Sequence, residues 1–247
     1  MSSYSPQVPT AVSQRLGTEE EMMTLVQSFP EVHLFLGYGA KAQYADVTEV
    51  LQGMEKQLLA VQERCAGKPW LAIYGGDISN EAAPDLGWLM ASLRRKYNAR
   101  LLAIQSAGTP DTTTDYHFIC DEQYEEVQSA DAAGGVVTGR EVLYGGTRHG
   151  VAVGGTRYYM GAKLIKAIAP ATKPILGTVF VAGGGGVAKQ EIVYADEQAV
   201  PWVYIPSRAG VPAVYGSTFG PVHDWVKARL ELGAPEGKPY ACVTGNH

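Results

Sequence analysis

The sequence predicts an α/β protein, a doubly wound and mostly parallel sheet with helices on both faces. Two observations carry that prediction. Short apolar runs alternate with stretches whose apolar residues recur at helical spacing, the pattern of strands buried on both sides beneath crossover helices. The 29 glycines gather where the apolar runs stop: Gly37 and Gly39, Gly75 and Gly76, Gly145 and Gly146, and Gly183, Gly184, Gly185 and Gly186. The composition, 46% apolar and 18% charged over 247 residues, supplies one large core and excludes general disorder.

The elements follow in chain order. Residues 1–17 are polar with two prolines and read as a loose arm. Thr18 and Glu21 have capping-box spacing, which predicts a short helix over 19–28 before Pro30. VHLFLGYG (32–39) reads as a buried strand. Val50, Met54, Leu58, Val61 and Cys65 share one helical face over 48–65, and Gly67 and Pro69 end that helix. WLAIYGG (70–76) is a second strand, followed by a helix with Leu86, Leu89, Met90, Leu93 and Tyr97 on one face. RLLAIQSAG (100–108) and DYHFICDE (115–122) are the third and fourth strands. The stretch 123–140, acidic and then rich in small residues, shows no clear period. EVLYGG (141–146) is strand-like, residues 157–168 read as a helix, and PILGTVFVAGGGG (174–186) is a strand opening into four glycines. A helix over 187–198, the strand VPWVYIPS (200–207) and a helix from Pro221 to Leu232 complete the chain.

No linker or repeat divides the chain. It reads as an arm and short helix (1–29), one domain (30–235) and a tail (236–247). The net charge of −5 gives no basic footprint for nucleic acid. No apolar run has membrane-spanning length, and the start MSSYSPQVPT has no apolar signal core, so the expectation is a cytoplasmic protein with no membrane partner. Cys65, Cys120 and Cys242 are too far apart for metal-ligand spacing and odd in number. Neither a disulfide framework nor a metal site is expected, and no cofactor.

A helix that starts after a glycine-rich turn presents unpaired amides and the positive end of its dipole, which together suit a phosphate. The strand, four-glycine and helix arrangement at 175–198 meets that description, as does the strand, glycine-pair and helix arrangement at 70–97. Neither is G-x-G-x-x-G, and neither is followed by the Lys-Ser or Lys-Thr of a Walker loop. Tight β–α turns without a ligand would also use glycine.

LFLGYG, AIYGGD, the helix containing GWLMASL, and RLLAIQ resemble the first half of the SLOG superfamily. VFVAGGGGVAKQEIVYADEQAVPWVYI resembles that superfamily's second signature, Pro-Gly-Gly-x-Gly-Thr-x-x-Glu between a strand and a helix. The superfamily includes the Lonely Guy phosphoribohydrolases (often labelled lysine decarboxylases), bacterial nucleotide sensors and the cytosolic N-terminal region of melastatin-type TRP channels. The resemblance spans residues 32–206 and implies a Rossmann-like fold that binds a nucleotide or nucleoside phosphate, and a homodimer. It implies that Gly183, Gly184 and Gly186, with Gly185 between them, wrap the phosphate. Gly75 and Gly76 would form the facing loop, and Gly37 and Tyr38 would border the base or ribose. The sequence departs from the signature at Ala182 and Val187. Gln190 takes the position of the signature Glu, and Glu191 follows it. One residue on a helix is a rotation of about 100°, which would turn Glu191 away from the pocket. The catalytic Arg-Lys pair of the phosphoribohydrolases has no clear match; Arg157, Lys163 and Lys166 are stand-ins at different spacing.

Gly-Gly-Thr-Arg occurs twice, at 145–148 and 154–157. Arg148 and Arg157 could grip phosphate in bidentate fashion, with Thr147 and Thr156 donating hydroxyls and Tyr158 or Tyr159 stacking on a base; a solvated loop is the alternative. Asp77 suits a ribose hydroxyl or a turn cap. Asp121, Glu122, Glu125 and Glu126 read as a solvated acidic face. His149 lies in the Gly-rich loop, while His33, His117 and His223 show no partner pattern, and no Gly-x-Ser-x-Gly elbow exists for a Ser/His/Asp triad. The function expected is binding of a small-molecule nucleotide of ADP-ribose or nucleoside-monophosphate type. The alternatives are a phosphoribohydrolase using Glu191 and Arg157, and a structural subunit with a vestigial site.

Overall fold

The computed structural model describes residues 13–36, 47–75, 84–106, 114–120, 125–130, 136–144, 147–149, 164–169, 175–184, 186–206, 220–231 and 241–242. Local chemistry sets the helix ends. Thr18 caps α1 (Glu19–Ser28): its Oγ1 accepts the Glu21 amide at 3.1 Å, and the Glu21 carboxylate accepts the Gly17 amide at 2.6 Å. The expected capping box forms, with its return bond one residue upstream of the cap. Helix α2 (Val47–Cys65) stops where Ala66 and Gly67 turn left-handed, at φ 49° and 81°. Helix α3 (Pro84–Tyr97) stops at Asn98, φ 56°, whose side-chain amide donates to the Gly67 carbonyl at 3.1 Å. Two further helices follow, α4 (Gly186–Glu197) and α5 (Gly220–Glu231).

The strands are β1 (Gln14–Leu16), β2 (Glu31–Leu36), β3 (Trp70–Gly75), β4 (Ala99–Ser106), β5 (Tyr116–Cys120), β6 (Glu125–Ala130), β7 (Val136–Tyr144), β8 (Thr147–His149), β9 (Leu176–Ala182), β10 (Trp202–Ile205) and β11 (Ala241–Cys242). Eight of them form one sheet in the order β1-β5-β4-β3-β2-β9-β10-β11, every pair parallel. The fold is α/β and Rossmann-like. From β4 to β11 the order is that of two βαβαβ halves side by side. One half is β2, β3 and β4; the other is β9, β10 and β11.

Alternate residues of each strand feed two cores. Phe35, Trp70, Tyr74, Leu101, Phe180 and Val203 pack beneath α2 and α3 with Met54, Leu58 and Leu93. Val32, Leu34, Ile73, Leu102, Val181 and Trp202 pack on the other face with Met22 and Val26 of α1, Ile165 and Ile168 of the 164–169 segment, Ile192 of α4 and Val226 of α5. Both faces are thus covered, as near-continuous apolar strands require. Among the described residues, no helix is long and apolar enough to cross a membrane.

The structure differs from the sequence reading in three places. Residues 14–16, read as a loose arm, pair with β5 at the sheet edge, held by Ser13 Oγ to His117 Nδ1 at 2.9 Å and by the Gln14 amide to the Asp115 carbonyl at 2.9 Å. Residues 241–242, in the stretch read as a tail, pair with β10. Residues 125–130 and 136–144 form antiparallel strands that, with β8, make a separate three-stranded sheet. Glu-Glu-Val-Gln-Ser-Ala hides its strand because small and charged residues break the period-2 signal. Of the helix read over 157–168, residues 164–167 are helical; the earlier ones lie outside the described residues.

Candidate functional site

The chain leaves β2 for β3 on one side, and β9 later takes the place on β2's other side. Strand order reverses between β2 and β9, the position at which open α/β sheets bind ligands beyond the carboxyl ends of their strands. Register places Leu36 of β2 opposite Val181 of β9 and Ala182 opposite Ile205 of β10. The candidate site is built at this rim.

Beyond Ala182, Gly183 has φ 57° and Gly184 φ 105°. Both lie in the left-handed region, where a Cβ is strained, so these two glycines are required by the turn itself. The Gly183 amide donates to the Ile205 carbonyl at 3.2 Å, one more rung of the β9–β10 ladder. Its amide therefore serves the sheet, and its contribution to the rim is the turn. Helix α4 then starts at Gly186, and the first four amides of a helix lack partners within it. Its first turn carries no acidic residue, and Lys189 follows, partly exposed. A cation this close to a helix start gains nothing from the dipole. The sequence reading passed over Lys189; its position four residues into a glycine-started helix was the available signal.

Glu191 is 7% exposed, on the α4 stripe that carries Ala188, Ile192 and Ala195 into the core. Glu191 therefore occupies an inward position on the helix. At the neighbouring strand end, Tyr204 of β10 places its hydroxyl 3.2 Å from Nδ1 of His223, in the first turn of α5. That pair was also missed, because 19 residues separate its members.

Gly75 ends β3 at the same rim, with β2 between it and β9. Arg148 is in β8 opposite Leu143, in the antiparallel sheet, flanked by Thr147 opposite Tyr144 and His149 opposite Val142. Glu125 and Glu126 lie in β6 opposite Glu141 and Arg140. Gly37, Tyr38, Gly76, Asp77, Asp121, Glu122, Thr156, Arg157, Lys163 and Gly185 lie outside the described residues. Among the described residues, no group of three or more His, Cys, Asp or Glu is arranged to hold a metal ion.

No family model and no curated protein matches the chain.

Two other histidines lie within the sheet, His33 in β2 and His117 in the outer strand β5. His33 bonds to Glu31 at 3.0 Å, and His117 to Ser13 at 2.9 Å. Both are buried beside their partners.

Proposed function

We propose that the chain binds a nucleotide or nucleoside phosphate, of ADP-ribose or nucleoside-monophosphate type, in the crevice between the carboxyl ends of β2 and β9. The observation that carries this is the coincidence of three features at one point. Strand order reverses there, Gly183 and Gly184 turn left-handed there, and α4 starts there with no acidic residue in its first turn. Amides and dipole at the helix start attract phosphate, and Lys189 adds a mobile charge. The SLOG resemblance points to the same loop. A ligand of this kind fits a cytoplasmic protein, as does the free thiol of Cys65, and the resemblance adds a homodimer.

One observation favours an enzymatic alternative. Glu191 is held out of water on the sheet side of α4. Such a carboxylate could activate a water for attack at the ribose anomeric carbon. Water would then add across the N-glycosidic bond, with the proton passing to the departing base and the hydroxyl to the sugar phosphate.

The test is a thermal shift against AMP, ADP-ribose, ATP and inorganic phosphate. A ligand at 100 times its Kd stabilises by about 2.7 kcal/mol, which is roughly 5–10 °C for a chain of this size. Lys189→Ala should keep the unliganded Tm and lose most of the shift. Base release from AMP, abolished in Glu191→Gln, would establish the hydrolase. Unchanged melting with every nucleotide would remove both readings and leave a structural subunit.

A further inference from the structure

The end of the sheet opposite the glycine rim holds buried charged groups that the proposed function does not use. Glu31 opens β2, and His33 follows on the same face of the strand. Their side chains are 2% and 1% exposed, with His33 Nε2 3.0 Å from Glu31 Oε2. Arg64, in the last turn of α2, places Nε 2.6 Å from Oε1 and Nη2 2.9 Å from Oε2 of the same carboxylate. This is a two-point pair. The His33 ring is walled by Trp70 of β3, centroid 5.2 Å away at 83°, and by Phe180 of β9 at 5.7 Å. Its Nδ1 is buried without a hydrogen-bond partner.

These contacts fix the protonation state. An ionised carboxylate only accepts, so Nε2 carries the imidazole proton and Nδ1 offers a bare lone pair. Arg64 already neutralises the Glu31 carboxylate. A proton arriving at Nδ1 would create a buried N–H with no acceptor, and a second cation sharing one anion. Among the described residues, none is seen to accept from Nδ1. On α2, Cys65 lies beside Arg64, and burial pushes its thiol up, keeping it neutral. On α3, the Tyr97 carbonyl already receives Trp70 Nε1 at 2.6 Å. The neighbour of His33 in the β9 ladder is Thr178, which carries no charge.

We propose that Glu31, His33 and Arg64 form an acid-sensitive latch at the foot of β2, and that proton uptake at His33 Nδ1 loosens the strand that borders the ligand crevice. The direction in pH follows from both groups. Burial holds His33 below the usual 6.5, against the raising influence of Glu31. The unfolded chain therefore takes up this proton first. The contribution of His33 is complete above about pH 6.5 and is lost progressively as pH falls toward the lowered folded value. Burial raises Glu31, but the hydrogen bonds from His33 and Arg64 outweigh it and leave the carboxyl below 4.5. Its contribution is lost only below that value, so of these two groups only His33 acts between about pH 6.5 and 5.

The experiment follows Tm from about pH 7.5 to 5 in the wild type and in His33→Phe, a ring of similar shape without a titrating nitrogen. The His33 ring proton is followed in parallel by NMR, assigned through its contacts to Trp70. The wild type should lose several degrees below about pH 6.5, and His33→Phe less than half as much. The His33 resonance should titrate below 6.5. Equal slopes in the two proteins, or titration at or above 6.5, would overturn the proposal. If His33→Phe does not fold, the wild-type titration decides alone.

Discussion

Gly177→Ala should lower the melting temperature by roughly 2–12 °C. Gly177 lies in β9 directly opposite Val32 of β2. A Cβ built there would sit 2.6 Å from the Val32 carbonyl oxygen, and 2.8 Å and 2.9 Å from two carbons of Ile168. The oxygen belongs to the ladder that joins the two halves of the fold, so it cannot retreat without stretching β2 from β9. Ile168 is buried in the core on that face and has little room to give. Overpacking of this kind costs about 1–3 kcal/mol. Two controls separate crowding from backbone strain. Gly67→Ala meets nothing within 4 Å but sits at φ 81°, so it reports strain alone. Gly17→Ala meets only the Glu21 carboxylate, at 3.4 Å, and should melt with the wild type. Gly177 stands about 20 Å from Gly183 along β9, so any residual ligand binding should survive in the folded fraction. Thermal denaturation of the three variants checks the order. If Gly177→Ala melts with the wild type, the close approach of β2 and β9 is wrong.

The sequence shows the sheet's strands clearly and its edges poorly, for a physical reason. A strand between two others is buried on both faces, so Trp70, Leu71, Ala72, Ile73 and Tyr74 are all apolar and read at once as a strand. An edge strand of three residues carries no such run. Gln14 and Arg15 are exposed, and only Leu16 faces the core. What holds β1 is hydrogen bonding over about a hundred residues of sequence, Ser13 to Thr114 and to His117, and periodicity does not register that. The buried cluster of Glu31, His33 and Arg64 was hidden in the same way. A charged residue at the start of an apolar run looks like a boundary until α2 folds back to place Arg64 over it.

The rim was legible through its glycines and not through its side chains. Four consecutive glycines announced an unusual turn, and Gly183 and Gly184 do take left-handed angles. The sequence did not disclose that the Gly183 amide would be drawn into the β9–β10 ladder. It also did not disclose which way Glu191 would face. That direction depends on where α4 begins. A start at Gly186 puts Ala188, Ile192 and Ala195 on the sheet, and Glu191 falls between them. Helix phase decides whether this carboxylate belongs to the core side.

Asp115→Ala should cost about 2–4 kcal/mol, the second large effect expected. Asp115 precedes β5 and joins three elements with one carboxylate. Oδ2 accepts from Arg94 of α3, with Nη2 at 2.7 Å and Nε at 3.2 Å. The same oxygen accepts the Leu101 amide of β4 at 2.8 Å, and Oδ1 accepts from Arg100 at 2.9 Å. Pairing between β4 and β5 begins only at Leu102 and Tyr116, so the Asp115 side chain completes the ladder one residue early. Its own carbonyl receives the Gln14 amide, which ties β1 to the same point. Removing the carboxylate leaves the Leu101 amide and the Arg94 guanidinium without this acceptor. The Arg100 arm counts for little, because its side chain is half exposed and water replaces the partner. Arg100→Ala should therefore stay within about 1 kcal/mol of wild type, while Arg94→Ala should fall between the two. In a double-mutant cycle of Asp115→Ala with Arg94→Ala, coupling of about 1 kcal/mol or more is expected, as for residues sharing one network. The deficit should appear first as lost amide protection at the start of β5 and at Leu101, where the carboxylate ties the entry of β5 to α3 and β4. Additive losses in the cycle, with Leu101 and the start of β5 still protected in Asp115→Ala, would show that the entry of β5 is held by something else.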